Sequence, residues 1–501
     1  MSTGEEVAQK VVLMKPDDLP GAAREVLVGG GRMQMAYAWY PRPGRLELRY
    51  LSGKAANLPF DIWRCPVEGR IPSLANVWPL LSWYEREISD LFGVEFTGAP
   101  DVHRLVLHEG VELPKPPFAS DYPPGHTLSL KTRQRLLPEV AGAERDVQLL
   151  PFGPVRADVL ESAEFLFFYI GEAILFYQPQ LFFKHRGMEK RFEGLTAERA
   201  VVTAERVSGV GSVAHALAFC QAVESASNCL VPPRALFLRV LLAEMERLYN
   251  HLHYLGHLAH TTTLKVAEAE GKFLEERVKQ FNGRLTGSRF LRSILTVGGL
   301  RHDVGPIGWL ADELEALRKR YAIYARRLEN TDSHLDRLIT TGSLDRQVAI
   351  DQGATGPVQR GSGLDRDLRR DHPYAAYDKL PVEVAVRQAG DGHARAQVRM
   401  AEIHNSIALI QRVLLMLPDG PLHADCEVIP NSEGLGWCES PRGTLFYAVH
   451  FDADGKLSRV KIKSPSFSNW RAFPFTVHGS NMMDYAINEA TFGLTIAGCD
   501  R

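Results

Sequence analysis

Short runs of strand-forming residues dominate the first hundred residues of the chain. Gly31–Tyr40 and Arg45–Leu51 predict two strands, and the Pro-Arg-Pro-Gly between them predicts a hairpin turn. Phe60–Cys65 predicts a third strand. In Asn76–Phe92 the apolar residues instead recur at helical spacing, which predicts one helix. Residues 1–108 are therefore expected to form a domain of mixed helix and strand.

The pattern changes after residue 108. Residues 109–126 contain five prolines and no periodicity, which is typical of a linker or of a strap lying on a surface. We place a proline-rich linker at 109–145 and a mainly helical domain with small β-hairpins at 146–501, so the predicted fold class is α+β. The helices predicted there are Leu195–Cys229, Pro232–Thr263, Glu270–Leu295, Pro306–Thr341 and Arg395–Leu417, and the strands are Thr444–Val449 and Leu457–Lys463.

Composition and charge restrict the functional classes. Of the 501 residues 45% are apolar and 24% are charged, as in ordinary globular proteins, and a net charge of -2 gives no general attraction to nucleic acid or anionic membranes. Met1–Lys10 lacks the apolar core of a signal peptide, and no segment supplies the roughly 20 apolar residues that a transmembrane helix needs. Six cysteines without a C-x-x-C pair predict reduced thiols in a cytosolic compartment.

Common catalytic signatures do not occur: there is no Walker A loop, no H-E-x-x-H string and no G-x-S-x-G string. His253, His257 and His260 lie at i, i+4 and i+7 on one predicted helix, so one face could ligate a metal ion. No carboxylate or cysteine is spaced to complete such a site. Surface or core-edge histidines are the favoured interpretation, and we predict no metal site in this chain.

Longer strings carry a family resemblance. Trp83–Phe96 (WYEREISDLFGVEF), followed by Pro100–Leu105, resembles the C-type subunit of respiratory complex I. The second half resembles the D-type subunit of complex I and the large subunits of membrane-bound energy-converting NiFe hydrogenases. The fused order and the opening string PFGPVR are most similar to formate hydrogenlyase-type complexes. The strings that carry the second resemblance are Pro151–Glu164, Lys184–Gly194, Glu205–Glu224, Pro233–Arg239, Glu244–Gly256, Gly353–Tyr377, Glu439–Gly443, Ser464–Asn469 and Asp500–Arg501.

The sequence departs from the hydrogenases where they hold their metals. The resemblance implies four thiolate ligands, from an R-x-C-G-x-C string and a D-P-C-x-x-C string, and soft thiolates suit such a redox site. The first string corresponds here to Arg206–Gly211 and the second to Gly493–Gly498. Neither keeps a cysteine at a ligand position, so we predict no NiFe site. The four ligand positions, taken as the candidate cofactor-binding positions, are Ser208, Gly211, Thr495 and Gly498.

Two further comparisons with the family bear on the cavity. Hydrogenases typically carry a cleaved C-terminal extension, whereas this sequence stops at Arg501, which is a second indication against nickel. In complex I the vacated cavity receives a quinone headgroup, hydrogen-bonded by a histidine and a tyrosine. The matching segments, Gly153–Asp158 and Phe192–Val202, contain neither residue type. Two interpretations of the cavity are therefore kept: a redox site with a quinone-like acceptor, and an inactive remnant.

Several polar residues match family positions and are the catalytic candidates. By resemblance Arg442 overhangs the cavity and Arg206 precedes the first ligand string, and Glu205 and Asp500 lie beside these strings. Buried charges are costly unless they are paired, so Glu205, Glu189 and Asp500 are candidate partners for the arginines at family positions, which are Arg442, Arg206, Arg186 and Arg501. A structural salt-bridge network and a proton route explain these residues equally well.

The floor of the cavity is expected where three segments converge. In the relatives, the segments that match Arg206–Gly211, Arg442 and Thr495–Gly498 meet around the metals. Replacing four thiolates by two hydroxyls and two glycines removes volume, and interiors tolerate few voids. Either the cavity binds something or larger neighbours fill it. The apolar neighbours that could fill it are Val207, Val210, Leu494 and Ile496.

The resemblance implies a peripheral-arm subunit of a membrane-associated complex, similar to NADH:quinone oxidoreductase, in which electron transfer is coupled to ion translocation. It implies a small iron–sulfur subunit and membrane-arm subunits as partners, no cofactor bound directly, an iron–sulfur cluster in a partner, quinone as a candidate acceptor, and a cytoplasmic position on the inner face of the cell membrane. Activity as an oxidoreductase is expected only in the assembled complex. A non-catalytic coupling role is the alternative, and an active NiFe hydrogenase is disfavoured.

Overall fold

The computed structural model describes residues 9–123, 125, 129–131, 146–155 and 161–501. Its first part is built on a four-stranded sheet in the order β1-β4-β3-β2, in which β1 is parallel to β4 and the other pairs are antiparallel. The predicted hairpin and third strand are confirmed. The strands are β1 (Gln9–Leu13), β2 (Arg32–Arg42), β3 (Arg45–Gly53) and β4 (Phe60–Pro66).

Two helices cover this sheet, α1 (Leu19–Val28) and α2 (Ser82–Phe92). The predicted helix Asn76–Phe92 is shorter than expected because Pro79 opens a separate 3-10 turn before α2 begins. At its other end α2 stops at Gly93, whose φ of 75° is the left-handed conformation that glycine adopts without strain. The remaining short strands are β5 (Ile71–Pro72), paired with β6 (Phe96–Thr97), and β7 (Val111–Glu112), paired with β8 (Ser129–Leu130).

The described part of the predicted linker, residues 109–123, 125 and 129–131, runs over the surface of the first part. Phe118 is buried, its N–H donates to the Leu91 carbonyl at 2.9 Å, and its ring stacks on Phe92 at 5.1 Å. The segment therefore behaves as the strap that its prolines indicated. The rest of the linker, and residues 156–158 of the predicted hairpin loop, lie outside the described residues.

The second part is mainly helical. Three strands, β9 (Gln148–Phe152), β10 (Glu164–Ile170) and β11 (Ala173–Gln180), form one antiparallel sheet. A short ladder joins β12 (Leu295–Thr296) to β13 (Gly299–Leu300), and the predicted C-terminal hairpin belongs to a sheet of β14 (Glu433–Ser440), β15 (Gly443–Phe451) and β16 (Leu457–Lys463). The helices are α3 (Ala197–Ala204), α4 (Ser212–Ala226), α5 (Pro233–Thr261), α6 (Lys265–Thr286), α7 (Leu310–Glu329), α8 (Asp332–Leu338), α9 (Arg346–Asp351), α10 (Pro357–Gly361), α11 (Leu368–Asp371), α12 (Gly392–Met416), α13 (Pro465–Ala472), α14 (Tyr485–Phe492) and α15 (Ile496–Asp500).

Two of the long helices predicted from sequence are each divided into two shorter helices in the structure. Leu195–Cys229 is divided into α3 and α4 by a loop that contains Gly209 and Gly211, and glycine is a poor helix former. Pro306–Thr341 is divided into α7 and α8 at Asn330 and Thr331, whose side chains favour helix ends over helix interiors. The first break matters for function, because it carries the first ligand string.

The two parts are joined by a stripe of cations on β16. Arg459, Lys461 and Lys463 alternate along the strand, so their side chains share one face, which is turned toward the first part. Lys461 Nζ lies 2.7 Å from Glu87 Oε2 on α2, and Lys463 Nζ donates to Gln34 Oε1 on β2 at 2.9 Å. All three cations are buried.

Two further findings concern covalent structure and membranes. Cys229, after α4, forms a disulfide with Cys426, after α12, with a Cα–Cα distance of 5.4 Å. The expectation of reduced thiols is therefore wrong for this pair, which is separated by 197 residues in sequence. The other four cysteines are free and buried. Within the described residues, no helix combines the length and the apolar character needed to cross a membrane.

Candidate functional site

The four positions that correspond to metal ligands meet around one small cavity. Its volume is about 20 Å³, which is room for one water molecule. The convergence follows from the fold, because the loop between α3 and α4 lies against the start of α15. The cavity is lined by Ser208, Val210, Gly211, His215, Ser440, Pro441, Arg442, Ser464, Pro465, Ser466, Thr495 and Gly498.

Hydroxyl groups close the side of the cavity formed by the second ligand string. Thr495 Oγ1 accepts the N–H of Gly498 at 3.2 Å and so caps α15. The same hydroxyl is 3.1 Å from Ser466 Oγ. Of the four apolar residues expected to fill the cavity, only Val210 lines it. Polar side chains that bond to each other and to the backbone have therefore closed the space.

Arg442 reaches the cavity as predicted, but its partners differ from the prediction. Its Nη1 donates to Asn250 Oδ1 at 2.6 Å and its Nε donates to the Gly493 carbonyl at 2.8 Å. No carboxylate among the described residues forms a salt bridge with it. Burial lowers the pKa of Arg442 to about 10. The expected buried carboxylate partner for Arg442 is thus wrong, because neutral oxygens hold the guanidinium.

Arg206 and Glu205 lie outside the cavity. The Arg206 side chain is 55% exposed and donates to the Val202 carbonyl one turn earlier, so it points to solvent. Glu205 Oε1 accepts the N–H of Ser293 at 2.7 Å, and the pair with Arg206 is long at 4.0 Å. Burial raises the pKa of Glu205. Of the predicted convergence, the Arg206–Gly211 segment contributes Ser208, Val210 and Gly211 to the cavity, whereas the charged side chains of Arg206 and of the preceding Glu205 do not reach it.

Arg186 connects the two ligand strings. Its guanidinium donates to the carbonyls of Arg206 at 3.1 Å, Val207 at 2.5 Å and Ala497 at 3.1 Å. These bonds pin the α3–α4 loop against α15 by charge-assisted contacts to backbone. The predicted carboxylate partner for Arg186 is replaced by three carbonyl oxygens.

Asp500 and Glu189 differ in their contacts. Asp500 is fully buried, its Oδ2 accepts the N–H of Lys184 at 2.9 Å, and its Oδ1 has no partner among the described residues. Burial raises the pKa of Asp500 to about 7, so it does not act as the counter-ion that the sequence suggested. Glu189 does pair with Arg501, at 3.1 Å, as the sequence suggested, and it also pairs with Arg459, at 2.7 Å, which was not among the predicted partners.

A buried ionic network behind the cavity was not predicted from sequence. Glu402 on α12 accepts from Arg360, from Arg247 at 3.3 Å and from His251 Nε2 at 2.7 Å. All four side chains are buried. Burial lowers the pKa of His251 to about 4. The clustered histidines of α5 therefore have different roles, and His251 belongs to the core.

The network extends to the cavity wall through Glu439, the neighbour of Ser440. Glu439 Oε1 accepts from Arg360 Nη1 at 3.0 Å. Burial, with the nearby charge of Asp367, raises the pKa of Glu439 to about 7. Beneath the start of α4, burial also raises the pKa of Glu246 to about 7. Two carboxyl groups next to the cavity can therefore hold a proton near neutral pH.

His215 is a cavity residue that sequence reasoning missed, although it lies inside the matching string Glu205–Glu224. It follows Gly211 by one turn of α4, and its Nδ1 is 2.8 Å from Tyr447 Oη. Burial lowers the pKa of His215 to about 3, so the ring is neutral. The other three histidines, His253, His257 and His260, stack along the exposed side of α5, and no group of metal-ligating side chains occurs among the described residues.

Neither group used by the relatives fits this cavity. A NiFe centre needs four thiolates, and the lining contains only hydroxyls, an imidazole and a guanidinium as polar side chains. Cys499 and Cys220 are buried, and burial raises the pKa of both thiols. A quinone headgroup needs far more than the 20 Å³ present. The cavity as it stands accommodates water.

An open depression lies on the outer side of the same loop. Its volume is about 580 Å³ and three arginines line it, Arg186, Arg191 and Arg206. Arg191 Nε donates to the Arg186 carbonyl at 3.1 Å, and the depression also includes the apolar side chains of Met188 and Val202. A cationic surface therefore faces outward directly beside the closed cavity.

Comparisons with known proteins agree with this architecture. Residues 33–127 match the family of the respiratory-chain NADH dehydrogenase 30 Kd subunit, residues 186–273 match the nickel-dependent hydrogenases, and residues 273–429 and 423–501 match the NADH dehydrogenase 49 Kd subunit. The membrane-bound sulfane sulfur reductase, an archaeal respiratory membrane complex, contains a chain of similar structure, with a TM-score of 0.68 and 25% identity, covering 72% of this chain and 100% of that one.

Relatives match most of this chain and most of their own length. Formate hydrogenlyase subunit 5 of Escherichia coli is 31% identical over 434 residues, covering 82% of this chain and 74% of the relative. The fused C/D subunit of the NADH-quinone oxidoreductase of Cereibacter sphaeroides is 28% identical over 481 residues, covering 87% and 82%. That of Gluconacetobacter diazotrophicus is 30% identical, covering 86% and 79%. The chain therefore belongs to the family that includes formate hydrogenlyase subunit 5 and the fused C/D subunits of NADH-quinone oxidoreductases.

Proposed function

We propose that this chain is the large peripheral-arm subunit of a membrane-bound respiratory complex, and that it supports electron transfer between partners without holding a metal centre itself. The observation that carries this proposal is the closed cavity. Its four ligand positions meet as in a hydrogenase large subunit, yet they supply no thiolate and enclose room for one water.

The outer depression is the proposed docking face for a small iron–sulfur subunit. Arg191 and Arg206 are exposed there, and Arg186 joins the α3–α4 loop to the second ligand string. Opposite charge across an interface speeds association and fixes register, so an acidic partner surface is expected. The iron–sulfur cluster then belongs to that partner, close to the closed cavity. Membrane-arm subunits, on the inner face of the cell membrane, complete the proposed complex.

A second candidate is favoured by the size of the depression. Its volume of about 580 Å³ lies in the range of small-molecule sites. With the partner in place it would form one wall of a site for a quinone-like acceptor, whereas the closed cavity would remain structural. If the depression is only a docking face, changes at Arg186, Arg191 and Arg206 should impair assembly alone. If it also forms a ligand site, these changes should impair reduction of the ligand as well.

Charge reversal tests the docking face. The tagged complex is purified from cells that carry Arg191→Glu with Arg206→Glu, and from cells that carry Arg326→Glu, an exposed position on α7. We expect the double variant to lose the iron–sulfur partner and the control to retain it. Wild-type complex should contain no stoichiometric nickel by mass spectrometry. Retention of the partner by the double variant, or about one nickel per chain, would contradict the proposal.

A further inference from the structure

A second cavity lies at the junction of the two parts of the chain, away from the closed one. Its volume is about 600 Å³. The first part contributes Trp83 and Leu105 to its walls, and the second part contributes Phe176, Phe182 and the half-exposed Phe475. Ligand sites in proteins are typically apolar clefts of this size with a few polar groups, and often lie between domains.

Arg471 on α13 is the charged residue at the inner end of this cavity. It is only 4% exposed, and its guanidinium lies 5.4 Å from the centre of the Tyr84 ring. Nη1 donates to the Leu80 carbonyl, whereas Nε has no hydrogen-bond partner in the described part of the chain. No carboxylate among the described residues forms a salt bridge with it. A buried charge of this kind is costly unless something compensates it.

Two more cations behind Arg471 also lack carboxylate contacts among the described residues. Lys463 donates to Gln34 Oε1, and Arg32 donates to Gln359 Oε1 at 2.8 Å. Burial lowers the pKa of Lys463 well below its usual value, and the charges of Arg32 and Arg471 add to this effect. By contrast, Arg86 at the rim is paired with Asp101 at 2.8 Å. The inner end of the cavity therefore holds three basic side chains that form no salt bridge with a carboxylate in the described part of the chain.

We propose that this cavity binds an amphipathic anion, with its acidic group on Arg471 and its apolar body between the aromatic walls. A negative head group would supply the counter-charge that the chain itself does not place there, and the walls would exclude water from the pair. A fatty acid and an aromatic acid share this chemistry. The site is separate from the proposed redox role and does not depend on it.

Binding is measured on the full chain with anilinonaphthalene sulfonate as a fluorescent aromatic anion, displaced by dodecanoate or by dodecanol. We expect one saturable site, with energy transfer from tryptophan that falls in Trp83→Phe. Dodecanoate should displace the probe at a concentration at least about tenfold below dodecanol, because only the acid can pair with Arg471. If dodecanoate displaces the probe, the ligand is identified as a chain-like acid. If the probe binds but dodecanoate does not displace it, the ligand is identified as an aromatic acid.

Two variants locate the acidic group. Arg471→Gln should weaken probe binding at least about tenfold. Because that side chain is buried, Gln352→Glu provides a second test: Gln352 lines the cavity, and a carboxylate there would compete with the ligand for Arg471. Gln280→Glu, exposed on α6, is the matched control and should bind like wild type. A folded Gln352→Glu protein with wild-type affinity, or dodecanol as effective as dodecanoate, would overturn the proposal.

Discussion

Thr495 Oγ1 accepts the backbone N–H of Gly498 at 3.2 Å, so the two positions that bind metal in the hydrogenases form a helix cap in this chain. A β-carbon built at Gly498 would lie 2.5 Å from that hydroxyl, which is shorter than real contacts allow. The cap and a cysteine at position 498 are therefore mutually exclusive in this backbone. Closure of the cavity rests on local hydrogen bonds as well as on the loss of thiolates.

Gly498→Ala should destabilise the protein, because the new methyl group forces Thr495 out of its capping position. We expect a loss of about 1–2 kcal/mol in the free energy of unfolding. Thr495→Ala alone should cost about as much, and the double variant should cost less than the sum. Gly21→Ala on α1, where no atom lies within 4 Å, is the control and should not destabilise the protein, since alanine is also the better helix former. Denaturant titration measures the free energy of unfolding of all four variants. If the loss in the double variant equalled the sum of the losses in the two single variants, the clash would be contradicted.

Glu402→Gln should be among the most destabilising single changes in the core. It removes a buried carboxylate that Arg360 and Arg247 share, and leaves Glu439 and Glu244 among their remaining acidic partners, for which we expect a loss of about 3–5 kcal/mol. Glu315→Gln removes an exposed i,i+3 pair with Arg318 on α7 and should cost less than about 0.5 kcal/mol. Thermal unfolding distinguishes the two. Equal effects would mean that the buried network contributes nothing specific.

Arg442→Ala tests whether the closed cavity takes part in turnover. The side chain holds Asn250 and the Gly493 carbonyl but no carboxylate among the described residues, so the loss should be about 1–3 kcal/mol, below the cost of breaking a buried ion pair. The complex should assemble, and its turnover per assembled complex should be unchanged. If the variant complex assembled normally but no longer reduced its acceptor, Arg442 would instead be assigned to the reaction.

Asp500→Asn should flatten the pH dependence of stability. Burial raises the pKa of Asp500 from 3.8 to about 7, so between these values the folded state keeps a proton that the unfolded state has lost. The contribution of this group to the free energy of unfolding is largest at low pH and decreases as pH rises toward 7. Urea titrations at several pH values should show a smaller decrease in Asp500→Asn. Asp312→Asn, exposed on α7, should keep the wild-type slope.

The Cys229–Cys426 disulfide can be counted chemically. After purification in air, the unfolded protein should expose four thiols, and six after reduction, because the chain has six cysteines. Reductant should lower the melting temperature of wild type, by the equivalent of about 2–5 kcal/mol, but not that of Cys426→Ser. Six thiols without reduction would contradict the cross-link.

Local patterns in the sequence determined much of the architecture. The hairpin of β2 and β3 follows from strand-forming residues around a Pro-Gly turn, and the long α5 follows from its apolar periodicity behind Pro233. The loss of the thiolates at Ser208, Gly211, Thr495 and Gly498 is also visible from sequence, because each ligand position is located by the matching residues around it. Breaks within helices were less predictable, since Gly209 and Asn330 are tolerated in helices when packing compensates.

Tertiary structure alone decided the volume of the cavity and the partners of its charged residues. The cavity walls come from segments as far apart as Ser208 and Gly498, and their packing cannot be read from either segment. Arg442 contacts Asn250, and Glu402 contacts Arg360, through elements that meet only in the folded chain. Periodicity places a side chain on a face, but the charge or carbonyl that it meets depends on which faces pack together. Sequence therefore determined that no cysteine stands at the four ligand positions, and packing determined that hydroxyls, a histidine and one arginine line the space between them.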